Sequence, residues 1–136
     1  MTPAPLRFAS TTMLAAFGAA AMMTAGCANM ASSAPAPAMM SSGALVGPNG
    51  MTLYTFDRDV AGSGKSVCNG QCAALWPPLM AAEKDQPSGA YTIVTRDDGS
   101  KQWAYKGKPV YYYKTDAKAG DRSGDNFRDV WHIIKE

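Results

Sequence analysis

Hydrophobic and polar positions divide the chain into three stretches. Arg7 is the only charged residue before Asp57, and an uncharged run from Phe8 to Gly26, rich in Ala and Met, follows it. A positive start, an apolar middle and small residues at the end predict a signal peptide over residues 1–26. Residues 27–42 begin at Cys27 and are mostly Ala, Ser, Pro and Met, again without charge. Ala34-Pro35-Ala36-Pro37 favours extended backbone, so this stretch is expected to be a tether. From residue 43 to residue 136 the pattern changes to short runs of Val, Ile, Tyr, Phe and Thr punctuated by Gly, Asp and Ser, the signature of short strands and tight turns.

Those runs repeat. Gly50-Met51-Thr52-Leu53-Tyr54-Thr55-Phe56-Asp57-Arg58-Asp59 aligns with Gly107-Lys108-Pro109-Val110-Tyr111-Tyr112-Tyr113-Lys114-Thr115-Asp116 at an offset of 57 residues. The shared pattern is Gly-x-x-(Leu/Val)-Tyr-x-(Phe/Tyr)-x-x-Asp. Ser66 and Ser123 keep the offset, and Trp76 and Trp131 follow after a gap of two residues. Two units, near 45–80 and 102–134, are therefore expected. In each, the two aromatics lie two apart and point to one face of a strand, and the Asp suits the turn that ends it. Between the units, Tyr91–Thr95 and Lys101–Tyr105 flank Asp97-Asp98-Gly99-Ser100 and read as a hairpin. Gly107-Lys108 turns into the next strand, and Val130–Ile134 is the last. Cys72–Leu75 has room for one helical turn before Pro77-Pro78 stops it. The expected fold is mainly β, a small antiparallel domain built from two related repeats.

Composition sharpens this picture at three points. All three Trp and all six Tyr lie beyond residue 50, whereas seven of nine Met lie at or before Met40. The packed part is therefore the second half, and the Met count describes leader and tether. Thirteen Lys and Arg against eleven Asp and Glu leave no basic surplus of the kind a nucleic-acid binder carries. Finally, Thr24-Ala25-Gly26-Cys27 resembles a lipobox, in which small residues admit the peptidase and the cysteine sulfur takes a diacylglycerol. Cys27 is expected to carry that lipid, with the palmitate-type acyl chains of lipoproteins. At about 0.8 kcal/mol per buried methylene, two or three such chains anchor a protein durably. Residue 28 is Ala rather than Asp, and by resemblance to Gram-negative sorting signals this points to the periplasmic face of the outer membrane.

Taken together, Leu53-Tyr54-x-Phe56-x-x-Asp59, Cys68-x-x-x-Cys72-Ala73, Trp76-Pro77-Pro78-Leu79, Asp98-Gly99, Tyr105-x-Gly107-Lys108-Pro109-x-Tyr111 and Trp131-His132 resemble a family of predicted lipoproteins, also called the secreted repeat of unknown function. The resemblance covers residues 43 to 134. It implies an exported protein with a duplicated module, and no established activity.

Candidate chemistry is sparse. Cys68 and Cys72 are expected to form a disulfide, because the protein is exported and Asn69-Gly70 turns the chain between them. So short a loop contributes about 2 kcal/mol in the chain-entropy account. The rival reading is a copper or thiol-redox site of Cys68, Cys72 and His132, the only histidine, since thiolate and imidazole suit copper. Copper-delivery proteins with that ligand set use a thioredoxin-like fold, and no βαβ pattern surrounds Cys68. Asp57, Asp59 and Asp116 are expected to cap turns and pair with Arg58, Lys114 or Lys118. The motif residues are Tyr54, Phe56, Asp59, Tyr111, Tyr113 and Asp116. Their aromatics either pack, with Tyr112 on a second face, or stack on a glycan or a protein partner. No catalytic set, cofactor or nucleic-acid partner is expected. The anticipated role is a non-enzymatic binding or envelope-structural module, tethered to the membrane by its lipid.

Overall fold

The computed structural model describes residues 3–4 and 35–136. Apart from residues 3–4, the expected signal peptide, Cys27 and the tether up to Ala34 lie outside the described residues. Seven short strands and one turn of helix carry the fold: β1 Met39–Ser41, β2 Ala44–Val46, β3 Tyr54–Phe56, α1 Gln71–Leu75, β4 Tyr91–Thr95, β5 Lys101–Tyr105, β6 Lys108–Pro109 and β7 Trp131–Ile133. All strand pairs are antiparallel: β1 with β2, β3 with β7, and β4 with β5 and β6 in a three-stranded sheet. The expected hairpin is β4–β5, α1 ends where Pro77 and Pro78 remove backbone donors, and a short 3-10 turn at Phe127–Asp129 precedes β7.

The folded part begins earlier than residue 43. Met39–Ser41, assigned to the tether by composition, pairs with Ala44–Val46 and buries Ala38. Ser42 and Gly43 make the connecting turn, both with positive φ. An uncharged run of Ala, Ser and Met carries neither a disorder signal nor a strand signal strong enough to distinguish the two.

The period of two along the central strands builds two cores, one on each face. Leu53, Val110 and Tyr112 face a cluster with Leu45, Leu79, Trp103 and Ile134. Tyr54, Phe56, Tyr111 and Tyr113 face a cluster with Cys68, Trp76 and Trp131. Tyr112 thus packs on a second face, against Gly47, where its ring leaves no space for a Cβ.

The repeats are interleaved rather than side by side. β3 of the first repeat pairs with β7 of the second, Thr55 opposite His132. The corresponding Tyr111 strand of the second repeat bonds to the end of the first: Tyr112 N–H donates to Pro77 O at 2.7 Å and Lys114 N–H to Leu75 O at 3.0 Å. At the centre, Tyr54 and Tyr111 exchange backbone hydrogen bonds of 2.8 and 2.9 Å. Pro77 and Pro78 cannot donate to a ladder, so the first repeat closes with an isolated bridge where the second has a strand.

Candidate functional site

The residues of the repeated motif converge at the junction of the two units. β3 and the Tyr111 strand, side by side and antiparallel, send Tyr54 and Tyr111 into the same aromatic core. There each phenol finds the aspartate of the other repeat. Tyr54 Oη donates to Asp116 Oδ2 at 2.6 Å, and Tyr111 Oη donates to Asp59 Oδ2 at 2.5 Å. The second oxygen of each carboxylate accepts a backbone N–H, from Ser123 at 3.0 Å and from Val67 at 2.8 Å. Each serine of the repeat joins in: Ser66 Oγ lies 2.6 Å from Tyr111 Oη, and Ser123 Oγ donates to Asp116 Oδ1.

This corrects the reading of the aspartates. Asp59 and Asp116 do close turns, their N–H groups donating to Phe56 O and Tyr113 O. Their side chains, however, are 2% and 8% exposed and make no ion pair with Arg58, Lys114 or Lys118. The turn aims the carboxylate inward, beneath the other repeat's phenol. Only Asp57 of the three stays at the surface, where Oδ2 lies 2.9 Å from His132 Nε2.

Above the hydrogen bonds lies a four-ring stack. Phe56 lies on Trp131 at 4.3 Å between centroids, Trp131 on Trp76 at 3.9 Å, and Trp76 on Tyr113 at 4.1 Å. The order again alternates repeats, one, two, one, two. Tyr54 meets Trp76 edge-on at 5.4 Å and Tyr111 meets Trp131 edge-on at 5.2 Å. Both tryptophans are buried, at 2% and 3% exposure. Gly124 has the ring of Trp76 where a Cβ would stand, 2.6 Å away, so a side chain there would displace the stack.

Burial sets the acid–base behaviour. Desolvation, then the hydrogen bond to a carboxylate, pushes the Tyr54 and Tyr111 phenols well above their ordinary range. Desolvation also raises the Asp59 carboxyl, against the lowering effect of the Tyr111 and Val67 donors. A phenol whose pKa is raised by folding stabilises the native state fully below the unfolded value, about 10, and that stability is lost as pH rises through the folded value. Alkaline unfolding is therefore expected to begin above about pH 10, with Tyr54 and Tyr111 ionising together with loss of near-ultraviolet circular dichroism. Phenolate absorbance followed alongside the dichroism checks this. Ionisation of all six tyrosines before any unfolding would contradict it.

One cation enters the network, and sequence reasoning missed it. Arg96 follows β4, is buried, and donates to Ser66 Oγ at 3.0 Å, Gln102 Oε1 at 2.7 Å and Cys68 O at 2.5 Å. It gives the Asp59 half of the junction a compensating charge. Neither Arg96 nor Gln102 belongs to the repeated pattern, so neither is visible as a motif. Among the described residues no buried side-chain polar atom is left without a partner.

Cys68 and Cys72 are joined in a disulfide, Cys68 fully buried against the aromatic core. The second repeat has Asp125 and Phe127 at the matching places, so the bridge is not required by the repeat itself. His132 lies between Asp57 and Asn126, its Nδ1 3.1 Å from Asn126 Oδ1. No observation supports a metal set of Cys68, Cys72 and His132, and no three His, Cys, Asp or Glu among the described residues are grouped to hold a metal ion. No helix among the described residues is long and apolar enough to cross a membrane.

The reciprocal junction is what a duplicated module requires, and comparison with known families agrees. A family model described as a secreted repeat of unknown function matches twice, over residues 41–80 and 92–135. The chain belongs to this family. The two matches cover both interleaved units, the first running from the end of β1 to residue 80 and the second from within β4 to just past β7. Membership fits an exported protein and assigns no activity. No curated protein and no solved structure matches the chain.

Proposed function

We propose that this secreted-repeat protein is a lipoprotein held to the cell envelope through Cys27, on the periplasmic face of the outer membrane, with a β domain that is a non-enzymatic binding or envelope-structural module. The observation that carries the second half is the occupancy of the motif residues. Tyr54, Tyr111, Asp59 and Asp116 are buried and bonded to one another. A phenol held neutral against a buried carboxylate is a poor nucleophile and a poor proton donor to solvent, but a good tie between two halves of a scaffold. Support for the anchor comes from the apolar leader ending in Gly26-Cys27 and from Ala28 after it. The partner on this reading is the membrane itself, with an envelope protein or a glycan at the domain's free surface.

Replacing Cys27 with Ser removes the sulfur that takes the lipid. The expected result is release of the mature domain from the membrane fraction, or accumulation of precursor. Intact-mass measurement of the wild-type protein should find Cys27 as the first residue, with acyl mass attached. A mature N-terminus elsewhere, or a mass without acyl chains, would refute the anchor.

A further inference from the structure

One face of the domain carries charge that the repeat scaffold does not need. Beside β3 and β7 runs an open groove of about 310 Å³, walled by Tyr105, Ile133 and three lysines, Lys106, Lys108 and Lys135. No carboxylate lines it among the described residues. The lysine ion pair present joins Lys101 to Glu83, and none of these three takes part in it. Lys106 instead lies over the Tyr105 ring, 5.3 Å from its centroid. The buried Asp59 feels the field of Lys108.

The duplication supplies an internal control. At the offset of 57, Lys106 and Lys108 correspond to Asn49 and Met51; past the two-residue gap, Lys135 corresponds to Met80. The first repeat thus builds the same backbone, from the same motif, with no cation at any of the three places. The matching face of the first repeat carries one lysine, Lys118 at the place of Ala61, and beside Leu79 and Met80 it meets Pro35, Pro37 and the carboxylate of Asp85. The second repeat replaces three neutral side chains by three like charges. Three like charges in one groove repel, which disfavours the folded state unless an anion meets them.

We propose that this groove is the face by which the domain settles on the anionic phospholipid headgroups of the membrane that holds its lipid anchor. The proposal rests on the Cys27 anchor proposed above. The composition of the walls selects a lipid surface over a free anion. A half-exposed tyrosine and an isoleucine suit the boundary between headgroup and acyl chain, and lysines reach from there to phosphates. At the attraction typical of a lysine near an anionic leaflet, each gives about a fivefold preference and the three together roughly a hundredfold. Such an attraction is weak for a free domain, yet sufficient for one already confined to the surface by its anchor.

The test uses the mature lipidated protein in vesicles of phosphatidylcholine alone and of an equimolar mixture with phosphatidylglycerol. Flotation with both kinds of vesicle reads the anchor. Lysine acetylation, mapped by mass spectrometry, reads the face. Lys106, Lys108 and Lys135 are expected to label several-fold more slowly in the anionic vesicles than in the neutral ones, with Lys84 and Lys114 unchanged. The protection should vanish in about 1 M salt, where screening acts within about 3 Å. Equal labelling in both vesicles, in protein that floats, would overturn this proposal and leave the anchor standing. Failure to float would overturn both. Protection of the same three lysines by inorganic phosphate, at an ionic strength where chloride gives none, would identify a free-anion site and overturn the membrane assignment.

Discussion

Trp76→Ala is expected to cost about 3–5 kcal/mol, as truncation of a fully buried aromatic does, and Trp131→Ala the same. Each ring has an aromatic partner on both faces, and each meets a tyrosine edge-on. Removing either leaves a cavity among the rings that surround it, four around Trp76 and three around Trp131, in a domain whose whole stability is of order 5–15 kcal/mol. Melting should fall by roughly 10–30 °C, at the few degrees per kcal/mol typical of a domain this size. The double variant should lose less than the sum, because the two rings share one contact and the second removal enlarges an existing cavity. Thermal melts followed by circular dichroism decide it. Variants melting within a few degrees of the wild type would mean that the stack serves something other than stability.

The second large effect distinguishes interleaved repeats from adjacent ones. Tyr54→Phe removes the donor to Asp116, and Asp116→Asn replaces one of two acceptor oxygens by an amino group facing donors. Each is expected to cost about 1–3 kcal/mol, the penalty for a buried polar group left without its partner. The pair belongs to different repeats, so the double-mutant cycle of Tyr54→Phe with Asp116→Asn should show a coupling of at least about 1 kcal/mol. The cycle of Tyr54→Phe with Asp59→Asn, both in the first repeat, should be nearly additive. Denaturant melts of the five variants and the wild type supply both cycles. Coupling within a repeat and additivity between repeats would refute the crossed hydrogen bonds. The same data revise the expectation from turn chemistry alone, under which Asp→Asn is almost free because Asn also supports turns.

Much of the architecture is legible in the residues. Tyr54-x-Phe56 and Tyr111-x-Tyr113 announce strands with one buried face. Asp98-Gly99 announces the hairpin between β4 and β5, and Pro77-Pro78 the end of the helical turn. The offset between Tyr54 and Tyr111 announces the duplication. What the residues do not announce is which copy meets which. Two identical patterns satisfy one another equally well within a unit or across units, and only the path of the chain decides. The aspartates illustrate the consequence. Read locally, Asp59 is a turn former beside Arg58; in the fold its carboxylate lies under Tyr111, 52 residues away. Arg96 is illegible for another reason. A single arginine near a hairpin turn has the pattern of an exposed residue, and its burial depends on acceptors at Ser66, Cys68 and Gln102 that converge only in three dimensions.

The crossed bonds also relate the two units by symmetry. Tyr54 meets Asp116 as Tyr111 meets Asp59, and β3 meets the end of the second unit as the Tyr111 strand meets the end of the first. That reciprocity is the geometry of an isologous contact in a homodimer. A lone unit would expose its phenol, its carboxylate and half of the ring stack, and would satisfy them by binding a second copy of itself. The two units of the present chain thus stand in the relation of two such subunits joined end to end. Joined in one chain, the units can differ without losing their fit, and the disulfide of one half and the lysines of the other are differences that a symmetric pair of identical subunits cannot hold.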